Sequence, residues 1–167
     1  GGINGLNHFY PKNIKTNKIP PQTAITGLKI SNNKIILGNS NILKKHITYT
    51  KQINLDHTQN NITIEFASLH FSNTNKNTFQ YKLVNFDTDW INAGFNNKAQ
   101  YTNLDPGEYT FIVKSANSDA VTSEDVASLI ISIPPPFTAT WTFRILCILL
   151  ISGITIGIFR YRLSSIK

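Results

Sequence analysis

The chain has 167 residues, which is room for one folded domain with small additions. Only 15% of the residues are charged, and much of the polarity comes from asparagines, which favour tight turns between short strands. The single cysteine, Cys147, excludes a disulfide framework and is interpreted as a small buried apolar side chain, with palmitoylation or thiol chemistry as the alternative. The sequence opens with Gly1-Gly2 and not with methionine, so we expect a piece of a longer protein.

The net charge of +7 is unevenly distributed. Residues 1–55 contain eight lysines and no acid, residues 56–140 contain nine acids and four lysines, and residues 141–167 contain four bases and no acid. The basic N-terminal part is either a solvated face or a surface for anionic glycans, anionic lipid headgroups or an acidic protein. Nucleic acid is a poor fit, because the lysines are dispersed and no arginine precedes Arg144.

Alternation of apolar and polar residues predicts short strands along the chain. Weaker patterns predict strands at residues 25–30, 35–37, 47–53 and 99–102. Clear alternation gives four further apolar strand faces: Ile62, Ile64 and Phe66; Phe79, Tyr81 and Leu83; Tyr109, Phe111 and Val113; and Leu129, Ile131 and Ile133. Seven or eight such strands predict an all-β, immunoglobulin- or fibronectin III-like sandwich of roughly 110 residues.

Irregularities between these strands are also predicted. Leu69 and Phe71 follow the first clear face one residue out of phase, which indicates a β-bulge near Ala67-Ser68. A turn is expected at residues 85–87, after the second clear face.

The C-terminal part predicts one transmembrane helix over residues 137–161. Residues 145–159 carry no charge, and Phe137, Trp141 and Phe143 extend this run to the length that a bilayer requires. Trp141 and Tyr161 flank the run as interfacial aromatic residues do, and Arg144 can reach the headgroups. A buried C-terminal core helix is the competing interpretation.

Basic residues on one flank predict the orientation of this helix. Arg160, Arg162 and Lys167 crowd its C-terminal side, so residues 162–167 are expected in the cytoplasm and residues 1–136 outside. Residues 134–136 are three prolines, which favour a stiff, extended connection between the last strand and the helix.

The sharpest local motif is Leu104-Asp105-Pro106-Gly107-Glu108-Tyr109. Pro-Gly favours a turn, and a tyrosine then opens a strand. Immunoglobulin-like sandwiches place at this point a tyrosine whose hydroxyl bonds back to the upstream backbone. Tyr109 is therefore interpreted as a structural corner rather than as a ligand contact.

These motifs together resemble the triple-tyrosine (Y_Y_Y) domain of propeller-type bacterial two-component sensor proteins. The residues that carry the resemblance include Tyr81-x-Leu83, Phe86-Asp87-x-x-Trp90, Tyr101-Thr102-Asn103-Leu104-x-Pro106-Gly107-x-Tyr109 and Ala116-Asn117. The family residues would thus be Tyr81, Asp87, Trp90, Tyr101, Asn103, Pro106, Gly107 and Tyr109. Two departures are Asn85, where the family usually has glycine, and Asp119-Ala120-Val121 after Asn117.

The resemblance implies a domain order. Residues 1–19 would be the end of the last β-propeller repeat with a linker, and residues 20–136 the periplasmic sandwich. The membrane helix would follow at residues 137–161 and the start of a cytoplasmic segment at residues 162–167. The whole would be a homodimeric, single-pass receptor of the bacterial inner membrane, in which the upstream propeller binds a ligand such as an oligosaccharide. A histidine kinase, a diguanylate cyclase or a DNA-binding regulator would form the output domain.

No catalytic, cofactor or metal site is predicted. His8, His46, His57 and His70 lack metal-ligand spacing, and Asp87 and Asp89 fit a turn better than a calcium loop. The rival to a sensor is a membrane-tethered glycan-binding or adhesion module. Its binding face would be built from aromatic residues, with His70, Trp90 and Tyr101 as candidates, unless these side chains simply pack the core.

The predicted membrane helix contains Gly153 and Gly157, which lie four residues apart on one helix face. Small residues at this spacing allow two helix backbones to approach closely in lipid. Glycine is also simply common in membrane spans. The two glycines are therefore a candidate dimer seam.

Overall fold

The computed structural model describes Gly5, Tyr10 and residues 17–38, 41–69 and 76–164. These residues form nine strands, one long helix and two short 3-10 helices, the latter at Ile47–Tyr49 and Phe137–Ala139. The strands are β1 (Thr23–Ile30), β2 (Asn33–Lys34), β3 (Gln52–Asn54), β4 (Ile62–Ser68), β5 (Thr78–Val84), β6 (Ile91–Gly94), β7 (Lys98–Tyr101), β8 (Gly107–Ala116) and β9 (Ala127–Ile133), and the helix is α1 (Trp141–Ser164).

Two sheets pack face to face. One has the order β2-β1-β4-β7 and the other the order β3-β9-β8-β5-β6. All neighbouring strands are antiparallel except β3, which pairs in parallel with β9 through the register of Ile53 with Ile131. The immunoglobulin- or fibronectin III-like sandwich predicted from the sequence is confirmed.

The alternation that predicted the main strands also fills the space between the sheets. Phe66 of β4 and Phe111 of β8 have no exposed surface, and their ring centroids lie 6.0 Å apart. Phe79 lies on β5, the strand next to β8, and its ring centroid is 5.1 Å from that of Phe66. Burial of apolar surface on this scale is the main favourable contribution to folding.

Several predicted strands differ from the observed ones. Residues 47–53 do not form one strand, because Ile47–Tyr49 is a 3-10 helix that precedes the three-residue strand β3. The strand predicted at residues 35–37 is instead the two-residue β2, immediately upstream. Strand β6, which pairs with β5, was not predicted from the sequence.

The predicted bulge at Ala67-Ser68 is also wrong. Both residues remain in continuous register with β1, and the register shift of this pair lies on β1, between Ile25 and Gly27. Leu69 is exposed after the strand ends, and Phe71 lies outside the described residues.

The chain enters and leaves the sandwich at opposite ends. We call the end at which the chain enters β1 the incoming end. There, Thr23 Oγ1 of β1 lies 2.8 Å from Ser115 Oγ, in the last residues of β8. At the outgoing end, Gly107 at the start of β8 is registered with Ile133, the last residue of β9. Pro134 to Pro136 then lead to Phe137–Ala139 and α1.

Helix α1 is long and apolar on all sides. Within it, Trp141–Arg162 is long enough to cross a membrane, and its most apolar 18-residue window has a mean hydropathy of 2.2 and is not buried by the rest of the described chain. The alternative of a buried core helix is therefore wrong. The helix begins four residues later than predicted, where Thr140 Oγ1 accepts a hydrogen bond from Phe143 N at 3.4 Å, as an N-cap side chain does.

Candidate functional site: a tyrosine cluster and the two ends of the sandwich

Of the three tyrosines predicted from the family resemblance, Tyr101 and Tyr109 lie near the outgoing end and Tyr81 lies further along the sandwich. Tyr81 comes from β5, Tyr101 from β7 and Tyr109 from the start of β8. The rings of Tyr81 and Tyr101 meet edge to face at 6.2 Å, and each lies within 6.5 Å of Phe111. Tyr109 joins through Phe86, which also contacts Tyr101. We call Tyr81, Tyr101 and Tyr109 the tyrosine cluster.

A carboxylate joins the two sheets at this cluster. Asp87 Oδ2 accepts hydrogen bonds from Leu83 N at 2.7 Å and from the Tyr101 hydroxyl at 2.6 Å. Because Leu83 belongs to one sheet and Tyr101 to the other, this oxygen bridges them. Burial, followed by the hydrogen bond to Asp87, raises the pKa of Tyr101 far above its ordinary value. The raised pKa favours the protonated hydroxyl, which donates to Asp87.

The turn that carries Asp87 depends on an unusual backbone conformation. Asn85 has φ of +72°, a left-handed value that asparagine tolerates better than most residues. Its side chain also donates to Glu108 O at 2.9 Å, so the turn is tied to the start of β8. The departure from glycine at this position is thus compatible with the same turn.

Tyr109 makes the hydrogen bond of a tyrosine corner. Its hydroxyl donates to Asp105 O at 2.8 Å, and only 7% of the residue is exposed. Burial raises the pKa of Tyr109. Pro106 and Gly107 form the intervening turn, and Asn103 enters the loop with a left-handed φ of +55°.

The residues proposed for an aromatic ligand face do not meet on one surface. Tyr101 is 5% exposed and points between the sheets. Trp90 lies on the outer face of the other sheet, where Lys114 Nζ sits 4.4 Å from the centroid of its ring. Lys114 is registered with the exposed Gln80, whereas its neighbour Val113 is buried, and this alternation fixes the outer position. His70 lies outside the described residues.

At the incoming end, an asparagine that the sequence analysis used only as a family motif is at the centre of a polar cluster. Asn117, 2% exposed, donates through Nδ2 to Asn17 O at 2.9 Å and to Ile19 O at 3.3 Å. Its Oδ1 accepts from Asp119 N and Val121 N, both at 2.9 Å. An asparagine followed by turn residues was the available signal, but sequence spacing could not give its partners about a hundred residues away.

A polar groove of about 530 Å³ lies beside β3, at the edge of the five-stranded sheet. Its lining includes Lys44, Lys45 and Lys51, together with the exposed ring of Tyr49 and the amide of Asn54. Among the residues that the structure describes, none of these lysines has a carboxylate within ion-pair distance. The groove is the structural counterpart of the basic N-terminal part of the sequence.

His, Cys, Asp and Glu are the side chains of the described ranges that most often ligate metal ions. No group of three or more His, Cys, Asp or Glu residues there is close enough to hold a metal ion. Asp87 serves the turn, as described above, and Asp89 is exposed next to it.

Comparison with known proteins gives consistent results. The family model of the Y_Y_Y domain matches residues 70–133. The protein called histidine kinase P4 from Formosa agariphila is 36% identical over 152 residues, which cover 89% of this chain and 11% of that relative. The chain thus spans about a tenth of the length of this relative.

Solved structures with the same fold come from B. thetaiotaomicron. The extracellular domain of the putative one component system BT4673 superposes with a TM-score of 0.66 at 30% identity, over 75% of this chain and 17% of that one. The extracellular domain of the putative hybrid two component system BT3049 has a TM-score of 0.55 at 28% identity, over 70% of this chain and 16% of that one.

Fold and comparisons define the class first: this is a β-sandwich like those of extracellular sensor domains, followed by one candidate membrane helix. More narrowly, residues 70–133 match the family model of the Y_Y_Y domain, in agreement with the family resemblance found in the sequence.

Proposed function

We propose that this chain relays a signal across the inner membrane of a bacterium, from an upstream ligand-binding propeller to a cytoplasmic output domain. The observation that carries the proposal is the path of the chain, which arrives at one end of the sandwich and leaves from the other into a candidate membrane span. The relative named as a histidine kinase supports a kinase as the output. The ten residues of β8 separate the two ends by roughly 30 Å, at about 3.3 Å per residue.

Stiffness along this path supports a relay rather than a tether. The sheets are joined through Asp87 near the outgoing end, and the next three residues after β9 are prolines. Proline fixes φ and favours an extended chain, so a displacement of the sandwich would reach α1 with little loss. A flexible Gly/Ser linker would absorb the same displacement.

The orientation is tested by fusing an enzyme reporter after Lys167. The bases at Arg160 and Arg162 favour the cytoplasm for this side of the helix, so a cytoplasmic reporter should be active and a periplasmic one inactive. The opposite pattern would contradict the relay, because the sandwich would then lie in the cytoplasm and not outside the membrane. A matched control moves the same fusion point to the loop after Asn117, where the periplasmic reporter should be the active one.

A relay through one span requires two copies, and Gly153 and Gly157 are the proposed seam. A Cβ added at either glycine meets no atom within 4 Å in the described chain, so Gly153→Ile with Gly157→Ile should leave the monomer undisturbed. We expect weaker crosslinking of the full-length protein in membranes than for the control Ile151→Leu with Ile158→Leu. Unchanged crosslinking together with intact signalling would exclude the seam.

The polar groove favours a second candidate, a membrane-tethered module that binds an anionic glycan. Lysines that have no ion-pair partner among the described residues, an exposed aromatic ring and amide side chains suit a sulfated or carboxylated sugar. If this is the function, the chain in detergent should bind a sulfated hexasaccharide and lose that affinity in Lys44→Gln with Lys51→Gln. The double variant Lys34→Gln with Lys114→Gln, outside the groove, is the control. Absence of binding by the unaltered chain would leave the relay as the function.

A further inference from the structure

The side chain of Asn117 uses its full hydrogen-bonding capacity. Its amide nitrogen has two hydrogens and donates to Asn17 O and Ile19 O, and its oxygen accepts from two backbone amides of the following turn. With only 2% of the residue exposed, these bonds are made away from water. Loss of any of them would leave a buried polar group without its partner, which is costly.

The turn after β8 needs only half of these bonds. The acceptor contacts with Asp119 N and Val121 N form the turn, and an aspartate could make both of them equally well. The two donor contacts go to the backbone of the incoming segment, 98 and 100 residues away in the chain. Only an amide side chain performs both tasks, so the donors require an explanation other than turn formation.

Further bonds tie the same segment to the same hairpin. Asn17 N donates to Asp119 Oδ2 at 2.8 Å. Further along the segment, after Pro20 and Pro21, the Thr23 hydroxyl forms a hydrogen bond with the Ser115 hydroxyl. Ser115 N in turn bonds Ser123 Oγ at 3.2 Å, and Ser123 N bonds Ser115 O at 2.7 Å. The hairpin that holds the segment continues directly into β9, the strand that leads to the membrane helix.

From this arrangement we infer that Asn117 is a positioning residue that latches the incoming segment onto the β8–β9 hairpin. The latch consists of Asn117 and Asp119 on the hairpin and the backbone of Asn17 and Ile19 on the segment. It makes the segment and the outgoing strand move as one body. The inference rests on the proposed relay and deepens it, because it names the residues through which movement would pass.

The first experiment asks whether the latch holds the segment, by amide hydrogen exchange of the chain in detergent micelles. Asp119→Ala removes the acceptor of Asn17 N from an exposed side chain, and exchange of that amide should rise about fivefold, as loss of roughly one hydrogen bond predicts. Asp119→Asn keeps an acceptor oxygen and should exchange as the unaltered chain does. Amides in the β8–β9 ladder should be unaffected in both.

Asn117→Asp is the stronger variant, since it keeps both acceptor contacts and removes both donors. It should release protection at Asn17 and Ile19 if the melting temperature shows that it folds. Should it not fold, the Asp119 pair decides alone. Unchanged exchange of the segment in Asp119→Ala would overturn the latch.

The second experiment asks whether the latch transmits. In the full-length protein with Cys147→Ser, the pair Asn17→Cys and Asp119→Cys removes the hydrogen bond from Asn17 N to Asp119 Oδ2 and places two thiols on neighbouring residues of the latch. Diamide then forms a disulfide between them, and dithiothreitol breaks it. Autophosphorylation from ATP in membrane vesicles should match the unaltered receptor when the pair is oxidised, and change at least threefold when it is reduced. Each single cysteine variant should be indifferent to both reagents.

The outcomes separate the two proposals. Equal kinase output in the oxidised and reduced states, with an active unaltered receptor, would overturn the latch and leave the relay standing. An unaltered receptor that never autophosphorylates would contradict the kinase output of the proposed function, and the latch as a transmitting device would fall with it.

Discussion

The two ends of the sandwich are fastened by different chemistry. At the outgoing end, aromatic rings pack between the sheets and a carboxylate takes two short hydrogen bonds from opposite sheets. At the incoming end, the contacts are hydroxyl and amide groups, several of them to backbone carbonyls. Burial of the rings stabilises the fold directly, whereas each hydrogen bond contributes a net of only about 1 kcal/mol. The outgoing end is thus part of the hydrophobic core, and the incoming end is a polar contact between the incoming segment and the sandwich.

The largest effect is expected from Asp87→Ala at the outgoing end. It leaves Leu83 N and the Tyr101 hydroxyl without their acceptor, and should lower the free energy of unfolding by about 2–4 kcal/mol. Urea denaturation followed by tryptophan fluorescence measures the change. Asp89→Ala, an exposed carboxylate two residues along, should change it by no more than about 0.5 kcal/mol. Equal effects of the two variants would contradict the bridging role of Asp87.

Tyr109→Phe tests the corner at the same end. Removal of the hydroxyl leaves Asp105 O without its donor and should cost about 1–3 kcal/mol of stability. Tyr49→Phe, whose residue is 77% exposed, is the matched control and should be neutral. An unchanged melting temperature for Tyr109→Phe would mean that water replaces the bond and that the corner is dispensable.

Alkaline pH should weaken the outgoing end selectively. Because the pKa of Tyr101 is raised on folding, the unfolded chain loses this proton near pH 10 while the folded chain keeps it. The unfolded state then binds fewer protons, so stability is complete below pH 10 and falls as pH rises above it. Tyr101→Phe should reduce this fall by up to about 1.4 kcal/mol per pH unit, measured from unfolding curves between pH 9 and 11. Parallel curves for the two proteins would contradict the role of Tyr101.

The smallest effect is expected from Thr23→Val at the incoming end. It deletes the partner of the Ser115 hydroxyl and should cost about 0.5–1.5 kcal/mol. Thr63→Val, at a hydroxyl that lacks a hydrogen-bond partner in the described part of the chain, should be neutral and serves as the control. A loss larger than that of Asp87→Ala would reverse the comparison between the two ends.

Strand alternation predicted the large elements well because each main strand buries one face. The pattern of Phe79, Tyr81 and Leu83 alone fixes the inner face of β5. The same logic failed for residues 47–53, where Ile47 and Ile53 are both buried but belong to a 3-10 turn and a separate short strand. Apolar residues spaced by two do not distinguish these cases over so short a stretch.

The candidate site was predictable in its members but not in its arrangement. The tyrosines could be named from the motif. The motif does not show that Tyr101 lies between the sheets while Trp90 lies on the outer face of the five-stranded sheet. The partners of Asn117 depend on where a segment about a hundred residues away crosses the hairpin. Such long-range polar contacts follow from the packed fold and leave no periodic trace in the sequence.

The shortness of the outer strands has a consequence for life on a membrane surface. In the described chain the sheets are bounded by β2, β7, β3 and β6, each of four residues or fewer. Anchoring confines many copies to a thin layer, where open backbone edges would meet often and could zip into aggregates. Strand β3 pairs with β9 at this edge, and the charged residue Lys51 directly precedes β3. Each outermost strand therefore offers at most four residues of backbone to a neighbouring copy.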